Sequence, residues 1–193
     1  MANYNKAISE TQLRLGEVRM GYLHVFAPHA SAEGNQEKYS MQVLIPKTDK
    51  QAKQMIDAAV EAAKKAGVYE RWNGKMPPVS KIHQPLRDGD EEYPEDPVYA
   101  GHWFFNCSSP ANRKPGVKVL DGGKVVDPRE EGEVYSGCYG AVTVGFFPFS
   151  TNGNVGIAVG LNNLIKTRDG DRLSGGRTAD QDFSDLGGDD PLA

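Results

Sequence analysis

The stretch "YGAVTVGFFPFSTNGNVGIAVGLNNLI" (139–165) constrains the fold more than any other part of this chain. Two runs in which apolar residues alternate with small or polar ones meet at Asn152-Gly153. Asn-Gly supplies the positive φ angles of the two-residue turns that join paired strands. A long antiparallel hairpin follows, and with it a mainly β protein. In the second run Val155, Ile157, Val159 and Leu161 share one side, while Gly156, Ala158 and Gly160 leave the other almost bare. A bare side admits another backbone or a ligand at close range.

The remaining segments are read by their periods. "LRLGEVRMGYLHVFAP" (13–28) alternates in two phases, Leu13 and Leu15 against Val18, Met20, Tyr22 and Phe26. The change of phase at Gly16-Glu17 predicts a bulge in a long bent strand. Tyr39, Met41, Val43 and Ile45 alternate with Ser40 and Gln42 up to Pro46, a half-buried strand expected to pair with the first. The period then lengthens. Ala52, Met55, Ile56, Ala59, Val60 and Ala63 form the stripe of an amphipathic helix over about residues 49–66. Thr48 and Gln51 have capping-box spacing, Lys64 and Lys65 suit the C-terminal dipole, and Gly67 suits the residue after the helix. Residues 68–100, which include Pro77, Pro78, Pro85, Pro94 and Pro97, read as a long loop region with short elements at most. Strand character returns in "GHWFFNCSS", "GVKVL" and "KVV", the last two flanking a turn at Asp121-Gly122-Gly123.

Such elements fit an OB-fold-like five-stranded antiparallel barrel with one inserted helix, with a β-sandwich as the alternative. The domain is expected over residues 11–167, after a flexible N-terminus of residues 1–10. From residue 168 to 193 glycine and aspartate dominate without periodicity, the composition of a disordered acidic tail. The net charge of −4 therefore covers two chemically different parts. Asp180, Asp182, Asp185, Asp189 and Asp190 contribute −5, and residues 1–179 carry +1. There is no apolar run near the ~18 residues of a membrane span and no secretory signal, so the expected location is the cytoplasm.

Enzyme chemistry finds no support. His24, His29, His83 and His102 are scattered, and no nucleophile-elbow, phosphate-loop or zinc-protease motif occurs. Cys107 and Cys138, 31 positions apart, read as two small buried hydrophobes, neither disulfide nor metal ligands. The acidic run "DGDEEYPED" has no EF-hand spacing and reads as a solvated loop, so no metal or cofactor is expected.

Binding of an unpaired nucleic-acid strand needs aromatic faces for bases and cations for phosphates. The expected stacking residues are Tyr39, Trp72, Tyr99, Trp103, Phe105, Tyr139 and Phe147. The expected phosphate contacts are Lys38, Lys81, Arg87, Arg113, Lys114 and Lys118, with "NRKPGVK" as the densest local site. In the hairpin, Cys138, Val142, Val144 and Phe146 are assigned to the core, and Tyr135, Tyr139, Thr143 and Phe147 to the ligand side. For "HWFFNC" the alternation leaves open whether the Trp103/Phe105 side or the Phe104 side is core.

Four separated motifs, "QPLRDGDEE" (84–92), "YAGHWFFN" (99–106), "YSGCYG" (135–140) and "GIAVGLNNLIKTRDGDRLSGG" (156–176), resemble the bacteriophage single-stranded-DNA-binding protein family with an OB-fold. The resemblance runs from about Leu13 to Gly176. It implies a non-enzymatic protein that coats single-stranded DNA during phage replication or recombination, in the host cytoplasm. Relatives often carry a basic residue directly after the "YSGCYG" position, where this chain has Ala141. Proteins of this kind commonly end in an acidic segment with an aromatic. Asp180, Asp182, Phe183, Asp185, Leu186, Asp189 and Asp190 are accordingly expected to compete with DNA for the cationic groove and to hold replication partners. A phage assembly protein that uses the barrel for protein contacts is the alternative, and free strand edges leave room for a homo-oligomer.

Overall fold

In the computed structural model, which describes residues 2–173, the chain runs β1 (Lys6–Ala7), β2 (Gln12–His29), β3 (Lys38–Pro46), α1 (Lys50–Glu70), β4 (Ile82–His83), β5 (Arg87–Asp88), α2 (Gly89–Glu92), β6 (His102–Pro110), β7 (Gly116–Asp121), β8 (Lys124–Val126), β9 (Tyr139–Thr151) and β10 (Asn154–Arg168). The β9–β10 hairpin turns through Asn152 and Gly153 at φ 50° and 79°, the pair of left-handed residues its sequence demands. The smaller β7–β8 hairpin turns through Gly122 and Gly123.

Five long strands close a barrel in the order β6, β3, β2, β9, β10, with β10 returning to β6 at Gly160 and Ser108. Closure rules out the sandwich. Strands of alternating direction cannot close a ring of odd number, and accordingly the β10–β6 seam of this otherwise antiparallel barrel is parallel. The bulge at Gly16-Glu17 is present as a register shift between Leu15 and Val18 against β9. It lets β2 serve two partners, β9 with its first half and β3 with its second.

Inside the barrel Leu15, Met20, Val43, Ile45, Phe105, Val144 and Leu161 are buried, and α1 covers the core with Ala52, Ile56, Ala59, Val60 and Ala63. The helix differs from its expected ends. Asp49, not Thr48, caps it, its carboxylate accepting from the Ala52 amide at 2.9 Å. Gly67 is buried within the helix, where a Cβ would come within 2.8 Å of the Trp72 ring and 2.9 Å of Pro148. Close packing therefore requires this glycine, and the helix runs on to Glu70.

The N-terminus is tied down, contrary to expectation. Residues 6 and 7 pair with β2, the Tyr4 amide donates to the Gly16 carbonyl at 2.7 Å, and Asn5 donates to Asp49 at 2.8 Å. The start of the expected tail is also structured. Residues 169–173 fold back over β2: the Tyr135 hydroxyl donates to Asp169 at 2.8 Å, Arg19 to the Asp171 carbonyl at 2.9 Å, and the Leu173 amide to the Ser136 carbonyl at 2.9 Å. Residues 174–193, with every tail residue named above, lie outside the described part.

Candidate nucleic-acid interface

On β9 and its approach the two faces divide as the alternation predicts: Cys138, Val142, Val144 and Phe146 are buried, while Tyr135, Tyr139 and Thr143 are half-buried and Phe147 is exposed. On β6 both faces are covered. Phe105 and Cys107 point into the barrel, and Phe104 sits outside it in a second small apolar layer with Leu44, Tyr99 and Val98.

That layering corrects four of the stacking assignments. Tyr39, on the inward side of β3 with Met41 and Val43, is 7% exposed, and Phe105 is fully enclosed. Trp72 is locked into the core against α1, its indole donating to the Phe149 carbonyl at 3.2 Å. Tyr99 packs on Phe104 under Tyr93, and its hydroxyl donates to Gln42 at 2.8 Å. Burial, with neighbouring hydroxyls adding to it, pushes that phenol up to about 12. None of these rings offers a free face. Two others are half-buried and already hold cations. Lys50 and Lys53 lie over Trp103 at 5.2 and 5.7 Å, and Arg168 stacks on Tyr139 at 3.6 Å while donating to the buried Glu17. Phe147 remains open, 48% exposed.

The cations divide in the same way. Arg87 is held by Glu92 and lies over Phe104, and Lys118 is paired with Asp127 at 2.5 Å. For a phosphate to bind either, an existing ion pair must break. Lys38, Lys81, Arg113 and Lys114 are exposed, with no carboxylate partner among the described residues. Ala141 is buried against Gly16 and presents nothing to a ligand.

A groove of about 750 Å³ crosses the outer faces of β2, β3 and β6, and of the residues expected to stack or to meet phosphates it brings together only Tyr99 and Lys38. Its floor is Ser40, Gln42 and Asn106, its walls are Tyr22, Tyr93 and the edge of Tyr99, and one end carries His24, His29 and Lys38. Gln42 donates to Asn106 at 3.2 Å, which holds the floor flat. Tyr22 is 60% exposed at φ 46°, in the left-handed region. It sits where the β2–β3 register slips between Gly21 and His24, and this irregularity turns its ring outward. A second slip before His29 brings the two imidazoles onto one side, stacked at 4.2 Å and 11°. Partial burial, and then the charge of His29, lower the pKa of His24.

Sequence reasoning assigned Tyr22 to the phase of Val18 and Met20, and passed over both histidines as scattered. The signals were Gly21 directly before Tyr22, which marks a break in the strand, and a five-residue His24–His29 spacing that only a slipped strand can bring to one face.

A closed five-stranded barrel with one helix between its second and third long strands, and a groove over those same strands, is an OB-fold, the barrel that presents this face to oligonucleotides and oligosaccharides. The chain belongs to the family described as Enterobacter phage Enc34, ssDNA-binding protein, whose model matches residues 11–192. Putative protein p50 of Acyrthosiphon pisum secondary endosymbiont phage 1 is 30% identical over 185 residues, which cover 91% of this chain and 94% of that one. Among solved structures, the single-stranded DNA-binding protein from bacteriophage Enc34 in complex with ssDNA matches with a TM-score of 0.71 at 20% identity, over 89% of this chain and 98% of that chain. Gp2.5, a single-stranded DNA binding protein encoded by bacteriophage T7, matches with a TM-score of 0.52 at 16% identity, over 92% of this chain and 94% of that chain. Both structural likenesses are likenesses of fold.

Proposed function

We propose that this protein binds single-stranded DNA, largely without regard to sequence, and coats and protects it during phage replication and recombination in the host cytoplasm. The observation that carries the reading is the groove itself: exposed Tyr22 and Tyr93 rings, a stacked histidine pair and a lysine with no carboxylate partner among the described residues, on the face of an OB barrel. Stacking accepts any base, because every base has a π face, and Lys38 meets the phosphates. Amides and hydroxyls on the floor, from Gln42, Asn106 and Ser40, hydrogen-bond base edges without selecting one. The solved relative held in complex with ssDNA supports the same assignment. This is a binding protein and not an enzyme.

The acidic C-terminal segment competes with DNA for this groove and, once displaced, recruits replication or recombination proteins through Phe183, Leu186 and the aspartates around them. Its point of departure supports this. A Cβ built on Gly21 would touch both Leu44 and Leu173, at 3.5 and 3.7 Å, so the described chain ends beside Tyr22 and Gln42 at the rim of the groove. Beyond that rim the sequence carries five aspartates against one arginine.

The test is a fluorescence-anisotropy titration of labelled oligo-dT at low and moderate salt, with the full chain and with a version ending at Ala179. Salt-weakened binding by both, tighter for the shortened chain, is the expected result. Absence of binding by either overturns the proposal.

A further inference from the structure

We infer that a second pocket, on the outer face of β9 and β10, anchors the phosphate backbone of a DNA strand that has already filled the groove; this rests on the reading that the groove takes single-stranded DNA. The pocket has a volume of about 510 Å³ and is lined chiefly by Gln12, Arg113, Lys114, Thr143, Asn162 and Asn163. No carboxylate and no aromatic ring lines it among the described residues. Its chemistry is thus the complement of the groove's. The groove offers ring faces and one lysine, whereas the pocket offers two cations and several amides, the donors that meet phosphodiesters irrespective of base.

The donors are held in place. Ser109 donates its hydroxyl proton to the Arg113 carbonyl at 2.7 Å and accepts from Arg113 Nε at 3.1 Å. The guanidinium is oriented by that bond while its two terminal nitrogens keep their donors free among the described residues. The Asn163 side-chain oxygen accepts from the Gly116 amide at 3.1 Å, and the Asn163 backbone N–H donates to the Thr143 hydroxyl at 3.1 Å. That oxygen and that hydroxyl are therefore occupied in shaping the wall, and the Gln12 and Asn162 side-chain amides remain available.

The pocket lies beside the cationic end of the groove. Lys38, at the groove's cationic end, is the register partner of Pro110, whose carbonyl accepts the Arg113 amide at 2.9 Å. Lys114 lies 5.9 Å from the ring of Phe26, which stands on β2 between His24 and His29. A strand leaving the groove past Lys38 thus meets Lys114 and Arg113 next and turns onto β10.

Occupancy of the second site requires a strand long enough to reach it, and this gives the test. Anisotropy titrations use the full chain with labelled oligo-dT of about 6 and about 16 nucleotides, near the two ends of OB site sizes. With Arg113→Gln/Lys114→Gln, affinity for the longer oligomer is expected to fall about tenfold or more. Its log K against log salt slope should become shallower by about 1.4, two phosphate contacts for a single strand. Affinity for the shorter oligomer should stay within about twofold. Asn162→Asp, which places a carboxylate in the pocket without touching the Ser109–Arg113 turn, should cause the same length-selective loss. Equal losses on both lengths, or retained affinity for the longer oligomer in either variant, overturn the second site. Failure of the unmodified chain to bind either length overturns the groove reading beneath it.

Discussion

Tyr22→Ala separates a base platform from a structural aromatic. The ring is 60% exposed and belongs to neither apolar cluster, so its removal should change folding stability by no more than about 0.5 kcal/mol. Alanine keeps a Cβ, so the strain at φ 46° is left as it was. Binding should respond quite differently. Base–aromatic stacking is worth about 1–3 kcal/mol per base by alanine substitution, a loss of about 5- to 150-fold in affinity. No charge is removed, so the slope of log K against log salt should not move. Tyr39→Ala supplies the contrast: loss of a buried ring from the barrel should cost about 3–5 kcal/mol of stability. Thermal melts and oligo-dT anisotropy at three salt concentrations measure all of these quantities. Affinity within about twofold of the unmodified protein for Tyr22→Ala, with the melt unchanged, would refute the groove as the place where bases stack.

Three further outcomes follow from particular contacts. His24 has its pKa lowered in the folded groove, so its contribution to stability is complete above the ordinary histidine value of about 6.5 and is lost as pH falls toward the lowered one. Bound phosphates favour the charged form, so affinity for oligo-dT should rise over that same interval and the His24 NMR titration should move up when DNA is added. A flat affinity profile between about pH 7 and 5 contradicts this. Arg168→Ala leaves the Glu17 carboxylate, whose side chain is 5% exposed, without its cation, and should cost about 1–3 kcal/mol in chemical denaturation. Adding Glu17→Gln should recover part of that loss. Gly156→Ala would set a Cβ 2.5 Å from the Cβ of His83, so the β4 pairing must shift, at about 1–3 kcal/mol, and the amides of residues 82–83 should lose protection in hydrogen exchange.

The barrel strands were legible because alternation is a local signal, and Asn152-Gly153 fixes the register of the longest pair without reference to the rest of the chain. The helix was legible for the same reason. The site was harder, because alternation sorts side chains into two sets without saying which set is inside. Tyr39 and Phe105 belong to inward sets that happen to contain aromatics, whereas Tyr22 leaves its inward set through a slip that depends on how β3 pairs. The cations posed a different problem. Arg87 and Lys118 are neutralised by Glu92 and Asp127, partners five and nine residues away. Those partners are visible in the sequence, but only the turn between each pair brings them into reach. Cations such as Lys38, without a carboxylate partner among the described residues, differ from paired ones by fold alone.

The parallel seam of the barrel has a consequence for what the chain can lose. β10 meets β6 at one pair, Gly160 and Ser108, and its edge on either side is taken up by β4 at residues 155–156 and by β7 at residues 163–166. These short strands therefore act as covers for a backbone that the barrel leaves unmatched. Excising the β7–β8 hairpin would bare the amides and carbonyls of an edge at residues 163–166, which carries Leu164 and Ile165. An open apolar edge is a template for another chain. With the β7–β8 hairpin in place that edge is paired, and its removal is expected to favour edge-to-edge pairing between copies.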